Sequence, residues 1–160
     1  MRIKARLIPV LICLTGLVSI PVAAAQSGDV AVVVNDGNPV TKLSSTDLRK
    51  IFAGDKRSWA AGLPIRIFVR GPGTNERVAL LKLLGMTELE YKQYWTAQVF
   101  RGDAQVEPTA LPSNGMQREA VVAYPGAVAL VALQDVKAGM KVLKVEGRMP
   151  GEAGYTLKGN

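Results

Sequence analysis

The sequence predicts one compact α/β domain in which a mostly parallel sheet is flanked by helices. Apolar, β-branched segments typical of strands alternate with amphipathic segments typical of helices along residues 26–160. Polar and glycine-containing turns separate these segments, and neither an internal repeat nor a low-complexity stretch interrupts them. Because helices connect successive strands, parallel pairing with helices on both faces of the sheet is the simplest arrangement.

Residues 1–25 show the three parts of a secretory signal peptide: a basic start (MRIKAR), an apolar run to about Val22, and small residues ending at Ala25. The alternative is an uncleaved membrane anchor, for which the apolar run is short. We expect cleavage after Ala25, which leaves the α/β domain in residues 26–160 and no membrane span. The predicted location is the periplasm, in a Gram-negative type of cell, or the medium.

Four segments are predicted to be strands. The valine-rich run at residues 29–35 is typical of a strand buried on both faces, and residues 126–133 have the same character. Residues 65–69 and 140–147 alternate in hydrophobicity, as half-buried strands do. The polar residues 101–112 are expected to form an exposed connector.

Four helices are predicted, each from its start or stop signals. Residues 44–54 and 74–84 begin at Ser or Thr and end at Gly, residues 87–100 open with a Thr-x-x-Glu capping box, and residues 113–125 end at proline. A tryptophan in the loop after the first helix is expected to plug the core. The side chains expected in the core are Leu48, Ile51, Phe52, Trp59, Val78, Leu81, Leu89, Trp95 and either Val99 or Phe100, with Leu80 and Leu84 as further candidates.

The composition excludes several kinds of chemistry. Histidine is absent, and the single cysteine, Cys13, falls in the predicted signal peptide. A Ser-His-Asp triad, a thiol nucleophile and a thiolate metal site are therefore excluded. We expect no enzyme, no metal and no cofactor, with a hydrolase built on Ser113 as the least favoured alternative. The formal net charge of +7 is spread over scattered residues, so nucleic acid is not an expected partner.

The stretch VRGPGTNERVALLKLLG at residues 69–85 has the order strand, glycine turn, helix that builds anion sites. First-turn amides of a helix carry partial positive charge, and glycines let a ligand approach the backbone closely. A hydroxyl from Thr74 and charges from Arg70 and Arg77 would add to this site. The alternative is an ordinary turn with an N-cap. The residues assigned to the site from this turn are Arg70, Gly71, Gly73, Thr74 and Asn75.

A second polar helix start, Ser113 and Asn114, is assigned to the same site. In a parallel sheet the loops after the carboxyl ends of the strands share one edge, where ligands bind. Residues 70–75 follow a strand and belong to that edge, and Ser113 and Asn114 reach it if the connector folds back. The alternative for both residues is ordinary helix capping.

Three segments resemble the phosphate-binding proteins of ABC transporters: NPVTKLSSTDLRKIFAGDKRSWAAGLPIRIFVRGPGTNE, PSNGMQREAVVAYPGAVALVAL and VLKVEGRMPGEAGYTL. The resemblance extends over about residues 30–157. It implies a periplasmic-binding-protein-like fold of type II and a small inorganic anion, phosphate above all, as the ligand. It also implies that the turn from Arg70 to Asn75 is part of the phosphate site, and that Ser113 and Asn114 lie near the cleft.

Two departures from the family pattern concern the site. Pro72 stands where the family has serine, so a hydroxyl and an N–H are lost. Glu76 brings a negative charge into the first helical turn, where it would repel or replace an anion. The chain also corresponds to the second half of a full-length binder, and another copy of the chain, as a homodimer, would complete the cavity.

Two functions follow as hypotheses. The first is an exported, solute-binding-like protein that binds phosphate or a related small oxyanion and is linked to phosphate transport, with an ABC transporter permease as partner. The second is a degenerate binding fold that acts as a protein-interaction module of the cell envelope without a small-molecule ligand.

Overall fold

The computed structural model describes residues 28–160. The predicted signal peptide, residues 1–25, lies outside the described residues and stays a prediction. The elements are β1 (Val30–Asn35), β2 (Lys42–Leu43), α1 (Ser45–Phe52), β3 (Arg66–Arg70), α2 (Asn75–Leu84), α3 (Glu88–Phe100), β4 (Thr109–Leu111), α4 (Asn114–Ala123), β5 (Ala127–Ala132), β6 (Met140–Val142) and β7 (Lys144–Val145). Two short 3-10 turns occupy Ala60–Gly62 and Leu133–Asp135.

A five-stranded sheet with the order β4-β3-β5-β1-β6 forms the centre of the domain. β3 pairs in parallel with both β4 and β5, while β1 pairs antiparallel with β5 and β6. β2 and β7 form a separate parallel pair. Four strands of this sheet run in the same direction and only β1 runs against them, so the predicted α/β domain with a mostly parallel sheet is confirmed. The alternation of strands and helices in the sequence did not predict the antiparallel placement of β1.

Helices cover both faces of this sheet. Val30, Val32 and Val34 of β1 face the core that contains α1, α2 and α3, whereas Ala31 and Val33 face the core under α4. Each of these side chains is fully buried, as the uninterrupted apolar run predicted. The two cores give three layers, with α4 alone on one side of the sheet.

The predicted helices form, but the single strand predicted at residues 140–147 is two strands: β6 pairs with β1 in the main sheet, and β7 pairs with β2. The predicted core face of α3 is also wrong. On α3 the buried side chains are Tyr91, Trp95 and Gln98, so Leu89 and Phe100 point outward and are 65% and 92% exposed. The two large aromatic rings set the buried face, and the residues predicted beside Trp95 fall on the opposite side of the helix.

The core face of α2 was predicted in part. Leu80 and Leu84 are buried as expected, together with Ala79, whereas Val78 and Leu81 are only half-buried. The predictions for α1 and for Trp59 are confirmed, and the tryptophan Nε1 donates to the Gly126 carbonyl at 3.0 Å.

The connector at residues 101–112 is not wholly irregular, because it contains β4. Thr109 and Ala110 are exposed, as residues of a loop usually are, so the sequence shows no sign of a strand here. Backbone pairing with β3 nevertheless makes this segment an edge strand, in the register Phe68–Thr109 and Arg70–Leu111. Since edge strands need only one neighbour, polar residues are tolerated there.

The carboxyl-terminal tail is fastened to the start of β1. Tyr155 Oη donates to the Val30 carbonyl at 2.8 Å, and the Val30 amide donates to the Leu157 carbonyl at 2.9 Å. Asp29 is buried and accepts from Lys158 Nζ and from the Gly151 amide, each at 2.7 Å. The tail, which the sequence indicated only as a series of turns, is therefore part of the folded domain.

Replacing Asp29 by asparagine (D29N) is expected to destabilise the domain in a pH-dependent way. Burial disfavours the charge of Asp29, but hydrogen bonds from Lys158 and the Gly151 amide outweigh it and hold the pKa of Asp29 below its ordinary value. The free energy of unfolding of the wild type should therefore exceed that of D29N by about 1–2 kcal/mol at neutral pH. This difference should be complete above the unfolded pKa of about 3.9 and disappear as the pH falls through the lower folded pKa.

Urea unfolding of both proteins at pH 7, 5 and 3 measures this difference. A difference that stays constant down to pH 3 would show that the charge of Asp29 does not hold the tail.

Candidate functional site

The parallel pairing of β3 with β4 brings the starts of two helices to the same edge of the sheet. Arg70, the last residue of β3, pairs with Leu111, the last residue of β4. The segment after β3 leads into α2 through the N-cap Thr74, and the segment after β4 leads into α4 through the N-cap Ser113. The connector folds back as the sequence analysis required, so both polar helix starts lie at one edge of the sheet.

The turn before α2 is built from glycine and from internal hydrogen bonds. Gly73 has φ +84°, a conformation that favours glycine, and a side chain at Gly71 would meet no other atom within 4 Å. Thr74 Oγ1 accepts from the Arg77 amide at 3.2 Å and donates to the Gly71 carbonyl at 3.0 Å. The Thr74 hydroxyl and the Arg77 amide are thus used within the turn, which leaves the amides of Asn75 and Glu76 as the candidate first-turn donors for a ligand.

The start of α4 reaches the end of a third strand. Ser113 Oγ accepts from the Met116 amide at 3.1 Å, which is the usual N-cap bond. Asn114 Nδ2 donates to Asp135 Oδ2 at 2.6 Å, and Asp135 lies in the 3-10 turn that follows β5. The Asn114 side chain, which we assigned to the ligand site from the sequence, therefore bonds to a carboxylate of the chain itself.

Arg70 lies on the sheet face that α4 covers. It shares this face with Arg66 and Phe68, which both contact the Tyr124 ring near the end of α4. Arg70 Nη1 donates to the Leu111 carbonyl at 3.1 Å, and Arg70 Nε is buried with no partner in residues 28–160. The guanidinium is therefore held at the edge beside the end of β4, and its buried Nε–H is unused.

Two amide side chains hold α4 on the sheet. Gln117 is fully buried, and its Nε2 donates to the Leu130 carbonyl of β5 at 3.0 Å. At the other end of the helix, Asn35 Nδ2 donates to the carbonyls of Val121 and Val122, each at 2.9 Å. Because both ends of α4 are fastened to the sheet, its first turn has a fixed position.

Arg77 does not contribute its charge to this edge, contrary to the expectation from the sequence. Its Nε donates to Glu88 Oε2 at 3.0 Å, and its guanidinium carbon lies 3.9 Å from the centre of the Tyr91 ring. Burial raises the pKa of Tyr91 to about 12, although the neighbouring guanidinium acts in the opposite direction. Arg77 therefore joins α2 to α3 within the structure.

Glu76 bonds to the backbone of β5 at this edge of the sheet. Its side chain is buried, and Oε1 accepts from the Ala132 amide at the end of β5 at 3.2 Å. The sequence showed that a charge enters the first turn of α2, but not that it bonds to β5. Asp135 was missed altogether, because no local signal distinguishes an acidic residue in a loop that returns to a distant helix.

The surroundings contain few other candidates. A cavity of about 420 Å³ lies between the start of β3 and the connector, and none of the assigned site residues lines it. Among residues 28–160, His, Cys, Asp and Glu side chains form no group of three suited to a metal ion. Within the same residues, no helix has the length and apolar character needed to cross a bilayer.

The contact between Glu76 and Ala132 gives a stability prediction. Glu76→Ala leaves the buried Ala132 amide without an acceptor and should cost about 1–3 kcal/mol of unfolding free energy. Glu76→Gln keeps an acceptor oxygen in the same place and should cost markedly less. Urea unfolding of the two variants measures the difference, and equal losses would mean that the hydrogen bond does not stabilise the edge.

Comparison with known proteins agrees with this fold. A family model described as PBP superfamily domain matches residues 15–157. The structure is similar to an ABC-type phosphate transport receptor from Vibrio cholerae, with 24% identity and a TM-score of 0.61 over 76% of this chain and 48% of that chain. It is also similar to a putative phosphate ABC transporter substrate-binding protein with bound phosphate from Clostridium perfringens, with 20% identity and a TM-score of 0.60 over 74% and 45%.

A phosphate-binding protein from Stenotrophomonas maltophilia is similar at 22% identity, with a TM-score of 0.55 over 76% of this chain and 40% of that chain. No curated protein matches the sequence significantly. The chain spans less than half the length of these solved structures, and at these identities the likeness concerns the fold. Since the family model extends over most of the sequence, the chain belongs to the family of the PBP superfamily domain.

Proposed function

We propose that this chain is an exported binding protein that holds a small tetrahedral oxyanion, phosphate above all, at the edge where α2 and α4 begin. The proposal depends on one observation: β3 and β4 run in parallel and end in register at Arg70 and Leu111, so the chain leaves both strands toward helix starts at the same edge of the sheet. Two helix N-termini at the same edge of the sheet, α2 on one face and α4 on the other, provide partial positive charge and amide donors there.

Arg70 supplies the full charge in this proposal. Its Nε is buried and has no partner in residues 28–160, and the same guanidinium is held by the Leu111 carbonyl. Because this guanidinium is already held in place, an oxyanion that binds it removes little further side-chain freedom. The guanidinium can also donate hydrogen bonds to the oxyanion in a defined direction. The amides of the first turns complete the donor set.

Two carboxylates limit the affinity. Glu76 and Asp135 both lie at this edge and would repel an anion, and Pro72 provides no amide donor. We therefore propose weak binding, with a dissociation constant of roughly 0.1–1 mM. The neighbours from Vibrio cholerae and Clostridium perfringens are named as components of phosphate transport. Together with the predicted signal peptide, they support a role outside the cytoplasm beside an ABC transporter.

Calorimetric titration of the purified protein with phosphate tests the proposal. Wild type should bind, and Arg70→Gln should weaken binding about tenfold, because a charge-assisted hydrogen bond is lost. Arg66→Gln is the matched control, since it removes the same charge from the same face of β3 at the other end of the strand. It should change the affinity less than twofold.

Circular dichroism establishes that each protein is folded before titration. Absence of heat from folded wild type up to several millimolar phosphate would contradict the proposal and favour the interaction-module alternative. Equal effects of the two arginine variants would remove the site from this edge.

Glu76→Gln should strengthen phosphate binding severalfold. The substitution removes a negative charge from the first turn of α2 while keeping an acceptor for the Ala132 amide. The gain should shrink at high ionic strength, because it comes from reduced repulsion. Titration at 20 mM and 500 mM NaCl measures both effects, and an unchanged or weakened affinity at low salt would show that Glu76 faces away from the ligand.

A further inference from the structure

The outward face of α3 has the pattern of a helix that pairs with another helix. Leu89 and Phe100 are 65% and 92% exposed, although both are large apolar residues. Together with Gln93 and Thr96 they form a stripe with spacings of four, three and four residues, which is the seam pattern of a two-stranded coiled coil. The opposite face of the helix, with Tyr91 and Trp95, is the one buried in the domain.

This stripe is complementary to itself when a second copy runs in the opposite direction. A two-fold axis through the middle of α3 sets Leu89 against Phe100 of the other copy and Gln93 against Thr96 of the other copy. The apolar residues then meet at the ends, and the two polar residues can hydrogen bond at the centre. A shallow, mostly apolar depression runs along this stripe and is lined also by Lys92 and Ala97.

The helix dipoles favour the same antiparallel arrangement. Antiparallel pairing opposes the two dipoles, whereas parallel pairing would align them. The charged residues at the ends of α3 contribute little to this choice, because Glu88 pairs with Arg77 and Arg101 pairs with Asp103 within one chain.

We propose that α3 is the self-association face of this protein, with a second copy of the chain as its occupant. One pair of 13-residue helices is a small interface for a specific complex, which predicts a weak dimer that forms at roughly 10–100 µM protein. The face contains none of the residues assigned to the oxyanion site, so dimerisation and oxyanion binding can be tested separately.

Analytical ultracentrifugation at 10–300 µM tests whether the dimer forms through this face. Wild type should shift from monomer to dimer over this range, and Phe100→Glu should remain monomeric. Val106→Glu is the matched control, because Val106 is 73% exposed and apolar but lies in the connector outside the stripe. This variant should dimerise like wild type.

Disulfide cross-linking tests the orientation. Gln93→Cys and Thr96→Cys are prepared separately in a Cys13→Ser background, which removes the native cysteine. An oxidised mixture of the two should cross-link more than either protein alone, because residue 93 faces residue 96 only in the antiparallel pair.

Three results would overturn the proposal: a monomeric wild type at 300 µM, a dimer that survives Phe100→Glu, or cross-linking of each cysteine variant mainly to itself. A monomer in solution would leave the face for a different protein partner. Phosphate titration of Phe100→Glu provides a separate readout, since its outcome depends on the site at Arg70 alone.

Discussion

Parallel pairing of β3 with a strand on each side is the constraint on which the rest of the structure depends. β4 aligns Leu111 with Arg70, and β5 aligns Ala129 with Phe68, so three strands end at one edge of the sheet. Each strand end leads directly into a helix start or a 3-10 turn. A shift of β3 by one residue would move Phe68 and Arg70 to the other face and dissolve both the α4 core and the site.

The edge carries charges of both signs, and the carboxylates that stabilise it also oppose the binding of an anion. Helix N-termini favour any nearby anion, whether it belongs to a ligand or to the chain itself. Glu76 uses this preference to satisfy the Ala132 amide, and Asp135 uses it to hold the side chain of Asn114. A site stabilised by its own carboxylates is stable when empty, but an incoming oxyanion must bind against their charge. The oxyanion binding that we propose is therefore weak and readily reversible.

The sequence predicted the local structure well because local signals determine it. N-caps at Ser44, Thr74, Thr87 and Ser113 mark the observed helix starts within one residue. The antiparallel placement of β1, the strand at Thr109–Leu111 and the bond from Glu76 to β5 could not be predicted, because each depends on a partner distant in sequence. The buried face of α3 was mispredicted because residue spacing fits more than one apolar stripe, and packing of Tyr91 and Trp95 selects between them.

The most direct test is a phosphate titration of the ¹⁵N-labelled protein followed by amide NMR shifts. If an oxyanion binds where α2 and α4 begin, the largest saturable shifts should come from the amides of Gly73 to Glu76 and of Ser113 to Gly115. The amides of α3 should stay nearly unchanged in the same titration. Saturable shifts confined to another surface, or no shifts at several millimolar phosphate, would contradict the assignment of the site to this edge.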